Sequence, residues 1–154
     1  LAFAKGDAEE VSEPVDMPAL LNQIAKRVRR TGTEVSVIFK GDQKIQVRPL
    51  AFRRCLDNLI GNAGKFGERI EILANHQDGW LTIAIDDNGP GIAADEREAV
   101  FKPFYRLDTA RNVDDGGTGL GLSIARDIAR SHGGDIALDT SPLGGLRAVI
   151  TIPA

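Results

Sequence analysis

Asn58, Asn62 and Lys65 recur at i, i+4 and i+7 within the stretch Asp57–Phe66. On a helix these three share one face and span about 10 Å of its axis. The opposite side carries Cys55, Leu56, Leu59, Ile60 and Ala63, which reads as core. A buried helix built this way presents two carboxamides and an ammonium in a row. Carboxamide oxygens suit a hard cation, and a lysine suits the phosphates around it. Taken alone, the same pattern also describes an amphipathic helix whose polar face meets water.

The chain has 154 residues, enough for one domain with a real core. A formal net charge of −3 gives no support to a nucleic-acid partner, and none is expected. The single cysteine, Cys55, excludes an internal disulfide and sits among apolar neighbours as a packing residue. His76 and His132 lie far apart, and with one cysteine there is no zinc spacing. No apolar run approaches the roughly 18 residues that span a bilayer, and no signal peptide is evident. The chain opens on Leu1 and reads as a piece of something longer.

Leu1–Lys5 has the pattern of a helix tail, and the acidic, breaker-rich run from Gly6 to Pro14 reads as a linker. Pro18 opens a helix striped by Leu20, Leu21, Ile24 and Val28. Its basic end, Lys26, Arg27, Arg29 and Arg30, reads as a solvated face favoured by the macrodipole. Glu34–Phe39 is β-rich, Gly41-Asp42 turns the chain, and Lys44–Arg48 returns as a second strand. Pro49 starts the long helix, which ends at Gly67. Arg69–Ala74 and Trp80–Asp86 are strands, with Trp80 expected in the core or at the sheet edge and His76 in solvent.

Asp86–Ile92 then forms a tight turn directly after a strand. From Ala93 to Gly117 the pattern is irregular, with a short helix near Asp95–Phe101, and a stretch of that length reads as a lid or binding loop. Glycines at 116, 117, 119 and 121 run into a helical pattern, and a glycine-rich helix start is an anion site. His132 in the last turn reads as a helix-capping residue, and Asp135–Asp139 and Leu146–Ile152 close the chain as strands. The order αββαββ(lid)αββ predicts a two-layer α/β sandwich with a mixed sheet and three helices on one face.

Three weak signals thus follow one another: an Asn-Asn-Lys helix, an Asp-Gly-Gly turn and a glycine-rich helix start. Asn58–Phe66 resembles the N-L-x-x-N-A-x-K-[FY] box of the GHKL superfamily of ATP-binding domains, most closely sensor histidine kinases. Asp87-Asn88-Gly89-Pro90-Gly91 resembles that family's D-x-G-x-G, Phe101–Arg106 its F box, and Gly117–Leu122 its G-x-G-L-G-L. Arg54 and the short Lys65–Glu68 junction look most like those of the EnvZ-type osmosensor kinases. The resemblance covers about Val15 to Pro153. It implies the Bergerat fold over residues 15–154, with residues 1–14 as a linker and the end of an upstream dimerisation hairpin.

The resemblance also implies ATP and Mg²⁺ as ligands. Asn58, Asn62 and Lys65 would be the catalytic residues, with Asn62 coordinating Mg²⁺ and Lys65 reaching the phosphates. Phe66 would pack against the adenine and Asp87 would accept its amino proton. Gly89, Gly91 and Ile92 would border the base, and Phe104 and Arg106 would belong to the F box and lid, with Thr109–Asp115. Gly117, Thr118, Gly119, Leu120, Gly121 and Leu122 would bend around the phosphates.

The position four residues before the Mg²⁺ asparagine divides the superfamily. Topoisomerases, mismatch-repair ATPases and anti-sigma kinases carry Glu there as a general base, whereas this chain has Asn58. An amide has no useful basicity near neutral pH, so Asn58 favours transfer to a histidine, which brings its own electron pair. Neither His76 nor His132 has the setting of the family's phosphoacceptor, which lies on a separate helical hairpin. The expected partners are therefore the chain's own dimerisation and phosphoacceptor domain and a downstream response regulator. The parent is expected to be a membrane-anchored homodimer, with this part a cytoplasmic domain, monomeric in isolation. A serine-directed anti-sigma kinase and a nucleotide-sensing module without transfer remain as alternatives.

Overall fold

The computed structural model describes residues 10–105 and 121–154. Along them run β1 (Glu13–Asp16), α1 (Met17–Arg29), β2 (Glu34–Gly41), β3 (Lys44–Val47), α2 (Pro49–Phe66), β4 (Arg69–Gln77), β5 (Trp80–Asp87), α3 (Gly121–Ser131), β6 (Asp135–Thr140) and β7 (Leu146–Pro153). The short helix expected near Asp95–Phe101 is instead a pair of 3-10 turns, Ala94–Glu96 and Ala99–Phe101.

Alternating apolar residues build the main sheet. Its five strands run in the order β2-β4-β5-β7-β6, with β2 and β4 parallel and the other neighbours antiparallel. Ile70, Ile72, Leu81, Ile83, Ile85, Ile150 and Ile152 are buried from one face of this sheet. They share a core with Leu21 of α1, Phe52 and Leu56 of α2, and Ala125 and Ile128 of α3. The three helices therefore cover one face, and the expected two-layer mixed sandwich is what forms.

A parallel pair needs a crossover connection, and β3 with α2 supplies it between β2 and β4. Lys44–Val47 does return as a strand, but outside the main sheet. It pairs antiparallel with β1, Glu13 opposite Val47 and Asp16 opposite Lys44. The cause is its own alternation: Ile45 and Val47 are fully buried in the helix-side core, which a place on the open edge of β2 would not allow. Glu13 and Pro14, assigned to a linker from sequence, thus lie in a strand.

Asp16 caps α1 by accepting from the Ala19 N–H at 3.0 Å, and Pro18 occupies its first turn. Of the basic cluster at its end, Arg29 turns inward and donates from Nε and Nη2 to the Val35 carbonyl, at 3.0 and 2.8 Å. Helix α2 spans the expected Pro49–Phe66, with Cys55, Leu56, Leu59, Ile60 and Ala63 all buried. Burial pushes the Cys55 thiol up to about 12, so it is a packing residue and no nucleophile. Two further expectations are corrected. Trp80 is 50% exposed at the start of β5, a central strand. His76 is half-buried, its ring nitrogens 2.7 and 3.0 Å from the Asp42 and Ala154 carbonyls.

Arg48 gives α2 no side-chain cap. Glu10 supplies one from far away in sequence, its carboxylate accepting from the Leu50 N–H at 2.6 Å and the Ala51 N–H at 3.0 Å. That anion also complements the helix dipole. Glu10→Ala should therefore lower folding stability by about 1 kcal/mol. Urea denaturation should show an earlier midpoint at unchanged slope; an unchanged midpoint would remove Glu10 from the fold's support.

Candidate functional site

The site grows from the last turn of α2 and the turn after β5. Asn58 and Asn62 are half-buried on the polar face of α2, Lys65 is exposed, and Phe66 is half-buried at the end. The Asn62 side chain has no hydrogen-bond partner among the described residues, which leaves a half-buried carboxamide available to a ligand. Phe66, Gly67 and Glu68 then lead straight into β4.

Asp87 ends β5 and is 1% exposed. Its Oδ1 accepts from the Gly89 N–H at 2.9 Å and the Leu146 N–H at 3.1 Å. Its carbonyl accepts from the Gly145 N–H at 3.1 Å. The next residue, Asn88, accepts on Oδ1 from the Glu68 N–H at 2.8 Å and the Arg69 N–H at 3.0 Å, tying the turn to the end of α2.

Two glycines permit this packing. A Cβ on Gly89 would stand 2.6 Å from the Phe66 carbonyl oxygen, so the turn can rest on α2 only if that atom is missing. A Cβ on Gly145 would stand 2.3 Å from Asp87 Oδ1 and 2.6 Å from Gly89 N. Gly89 was expected to border a base; the structure gives it a packing reason as well. Gly145 and Asn88 were missed as site residues. The only sequence signal for Gly145 was the Gly144-Gly145 pair inside what reads as an ordinary hairpin connection.

Asn58 donates from Nδ2 to the Gly121 carbonyl at 3.2 Å, joining α2 to the first residue of α3. Ile92 is buried with Val100 and Leu146, and Leu122 packs against that group. The structure therefore brings together Asn58 with Gly121, Phe66 with Gly89 and Asp87, and Ile92 with Leu122. Phe104 is not drawn in: it is 67% exposed, with φ at +64°. Arg106, Gly117, Thr118, Gly119 and Leu120 lie outside the described residues, as does the expected lid from Arg106 onward.

Arg126 of α3 braces this side of the molecule. It donates to the Glu98 carboxylate at 2.9 Å and to Asp135 Oδ1 at 2.8 Å, and stacks 4.0 Å over the Phe101 ring. Partial burial works against an ionised Asp135, but hydrogen bonds from Arg126, Arg130 and the Ile136 N–H outweigh it and hold the carboxyl down to about 2. Behind Asp87, the carboxylate of Asp86 is 1% exposed and accepts a bidentate pair from Arg147 at 2.7 and 2.8 Å. Those bonds keep the Arg147 guanidinium protonated above its ordinary range.

Chemically, the arrangement offers an oriented, buried carboxylate beside a narrow turn, and a half-buried carboxamide and an ammonium along one helix. The first suits a heterocyclic amino donor and the second a cation with phosphates. Gly145→Ala should disrupt the Asp87 turn and cost about 2 kcal/mol or more, because the new methyl would collide with the buried, hydrogen-bonded Asp87 Oδ1 and also with two backbone atoms, the Asp87 carbonyl oxygen and the Gly89 nitrogen. Thermal melting would show this, while Gly61→Ala is the contrast, since that glycine has helical backbone inside α2 and nothing lies within 4 Å of its Cβ position. A Gly145→Ala melt equal to wild type would contradict the packing argument.

Comparison with known proteins adds three findings. A family profile described as histidine kinase-, DNA gyrase B-, and HSP90-like ATPase matches residues 47–154. Sensor histidine kinase CpxA of Escherichia coli (strain K12) is 39% identical over 137 residues, which is 87% of this chain and 30% of that protein. Sensor-type histidine kinase PrrB of Mycobacterium leprae is 39% identical over 145 residues, 92% of this chain and 32% of that protein. The chain thus spans about a third of the length of these curated relatives. The solved ATP binding domain of PrrB from Mycobacterium tuberculosis superimposes with a TM-score of 0.77 at 33% identity, covering 93% of this chain and 97% of that one. The chain belongs to the family of histidine kinase-, DNA gyrase B- and HSP90-like ATPases.

Proposed function

We propose that this chain is the ATP-binding catalytic domain of a sensor histidine kinase, donating the γ-phosphoryl group of ATP to a histidine on a separate dimerisation domain. The observation that carries this reading is Asn58. A glutamate there would be a base able to activate water or a hydroxyl. In this structure the position donates a hydrogen bond to the Gly121 carbonyl, which a carboxylate cannot do. The place where a hydrolase of this family keeps its base is thus built for an amide.

The adenine amino group would be read by Asp87, held in place by the Gly89 and Leu146 N–H groups. Phe66, at the end of α2, would border the base. Asn62 and Lys65 would face the phosphates. Mg²⁺ fits the donor set: it is held through few side chains together with substrate phosphates and water, and Asn62 offers one such oxygen. Among the described residues no group of three His, Cys, Asp or Glu forms an all-protein cage. When bound, the metal would offset charge on the phosphate oxygens.

Transfer itself asks little covalent chemistry of the protein. The imidazole lone pair would form the bond to the γ-phosphorus as the bond to the bridging oxygen breaks. ADP would leave with that electron pair, and the imidazole proton would pass to solvent. The natural partners would be the chain's own dimerisation hairpin and a response regulator. The parent would be membrane-anchored; among the described residues no helix is long and apolar enough to cross a membrane. The finer placement beside EnvZ-type kinases is supported only by Arg54 and the Lys65–Glu68 junction.

Asp87→Asn should weaken adenine-nucleotide binding at least tenfold, about 1.4 kcal/mol, through loss of the charge-assisted bond. An asparagine Oδ1 can still accept from Gly89 and Leu146, so the fold is expected to survive. Calorimetric titration with equal affinities in the two proteins would sink the assignment.

The activity test is incubation with γ-labelled ATP, with and without the parent's helical hairpin. Alone, the chain should bind ATP but turn over negligibly. With the hairpin, acid-labile, base-stable label should appear on a histidine, weakly, because no tether raises the effective concentration. Label on serine would favour an anti-sigma-type kinase, and binding without any transfer a nucleotide-sensing module. Robust hydrolysis by the chain alone would overturn the reading.

A further inference from the structure

We propose that His132 is a positioning residue for the phosphate site, setting the register of α3 against α2 and thereby the point at which Gly121 meets Asn58. The proposal rests on the reading above, in which these two helices carry the nucleotide's phosphates. Its ground is a set of three polar contacts that run along the helix pair in opposite sequence order. The Arg48 N–H donates to His132 Nε2 at 3.1 Å, Cys55 Sγ donates to the Ala125 carbonyl at 3.4 Å, and Asn58 Nδ2 donates to the Gly121 carbonyl at 3.2 Å. The helices are therefore antiparallel, and these contacts fix their relative slide.

The three are unequal. A thiol is a weak donor, and the Asn58 contact lies within the site itself. The His132 contact is the remote anchor, flanked by an exposed bond from the Arg48 guanidinium to Ser131, and its geometry leaves one chemical state. Its partner is a backbone N–H, which can only donate, so Nε2 must carry its lone pair. The ring proton then sits on Nδ1, where it donates to the Ile128 carbonyl at 2.8 Å. The ring plane is held by Phe52, which is fully buried and meets it edge-on at 5.5 Å between centroids and 72° between planes. One stiff ring thus joins a backbone donor at the start of α2 to a backbone acceptor in α3.

A slip of one residue between the helices would move Gly121 by about 1.5 Å along Asn58. Misplacement of about 1 Å can cost on the order of a hundredfold in a reacting geometry. The role read from sequence, a capping residue for α3, accounts for the Ile128 bond but not for the bond to Arg48.

The backbone N–H can be removed alone. Arg48 has φ −78° and ψ 112° and precedes Pro49, angles that proline also adopts. Arg48→Pro deletes the donor, while Arg48→Ala keeps it and loses only the guanidinium, which bonds Ser131. Likewise His132→Phe keeps a ring against Phe52 and loses the acceptor, whereas His132→Gln restores an oxygen near the Nε2 position.

Two measurements on the whole chain test the proposal. The first is calorimetric affinity for a non-hydrolysable ATP analogue with Mg²⁺. Arg48→Pro should bind at least about tenfold more weakly than Arg48→Ala, and His132→Phe than His132→Gln. The second is the ¹⁵N NMR signature of the His132 ring in the wild type without ligand, which should report the Nδ1–H tautomer. Equal affinities within both pairs, or an Nε2–H tautomer, would overturn the proposal. If one variant fails to fold, the other pair and the tautomer decide. Failure of the wild type to bind the analogue would strike the functional reading instead, and the tautomer would still decide whether the helix contact exists.

Discussion

The carboxylate of Asp87 is the point on which the site depends. It is almost fully buried, and a buried charge is tolerated only where hydrogen bonds replace water. Here the Gly89 and Leu146 N–H groups do so on one oxygen. These donors come from two places, the turn after β5 and the start of β7. They can converge only because Gly145 leaves room beside Asp87 and Gly89 leaves room beside the end of α2. One acid thus draws the sheet, the β6–β7 connection and the helix bearing Asn58, Asn62 and Lys65 into a single arrangement.

A second constraint acts across the helices. α2 carries no cap of its own and borrows one from Glu10, while its start is tied to His132 and its middle to Gly121. Its apolar side is locked into the core from Ala51 to Ala63. The polar side is therefore presented on a fixed support, which is what a site acting through position and charge requires. Around it, Arg126 collects Glu98, Asp135 and Phe101, so the chain leaving the Asp87 turn is braced against α3 before the described residues stop at Tyr105.

Much of this was legible in the sequence, for local reasons. The limits of α2 follow from Pro49, Gly67 and an unbroken 3.6-residue apolar stripe, and the structure reproduces them. The Asp87 turn was visible because acid, asparagine and glycines directly follow a strand. What escaped was non-local. Nothing near Lys44–Val47 says that its partner is Glu13–Asp16, thirty residues earlier, rather than the strand just left. Glu10 looks like linker acid until α2 is seen to lack a cap. Gly145 looks like a hairpin glycine until Asp87 is placed beside it. His76 and Trp80 were misjudged because exposure depends on which end of which strand a residue reaches.

The central claim is that the polar face of α2 and the Asp87 turn together form one nucleotide site. A crystal structure of this chain with a non-hydrolysable ATP analogue and Mg²⁺ tests it most directly. The account predicts the adenine amino group at Asp87, the base against Phe66, and the phosphates and metal along Asn58, Asn62 and Lys65 towards Gly121. The molecule offers another polar cleft, lined by Arg29, Thr33, Val35 and Arg69, between the end of α1 and the start of β2 and β4. An analogue seated there, or one whose phosphates leave Asn62 and Lys65 untouched, would contradict the account.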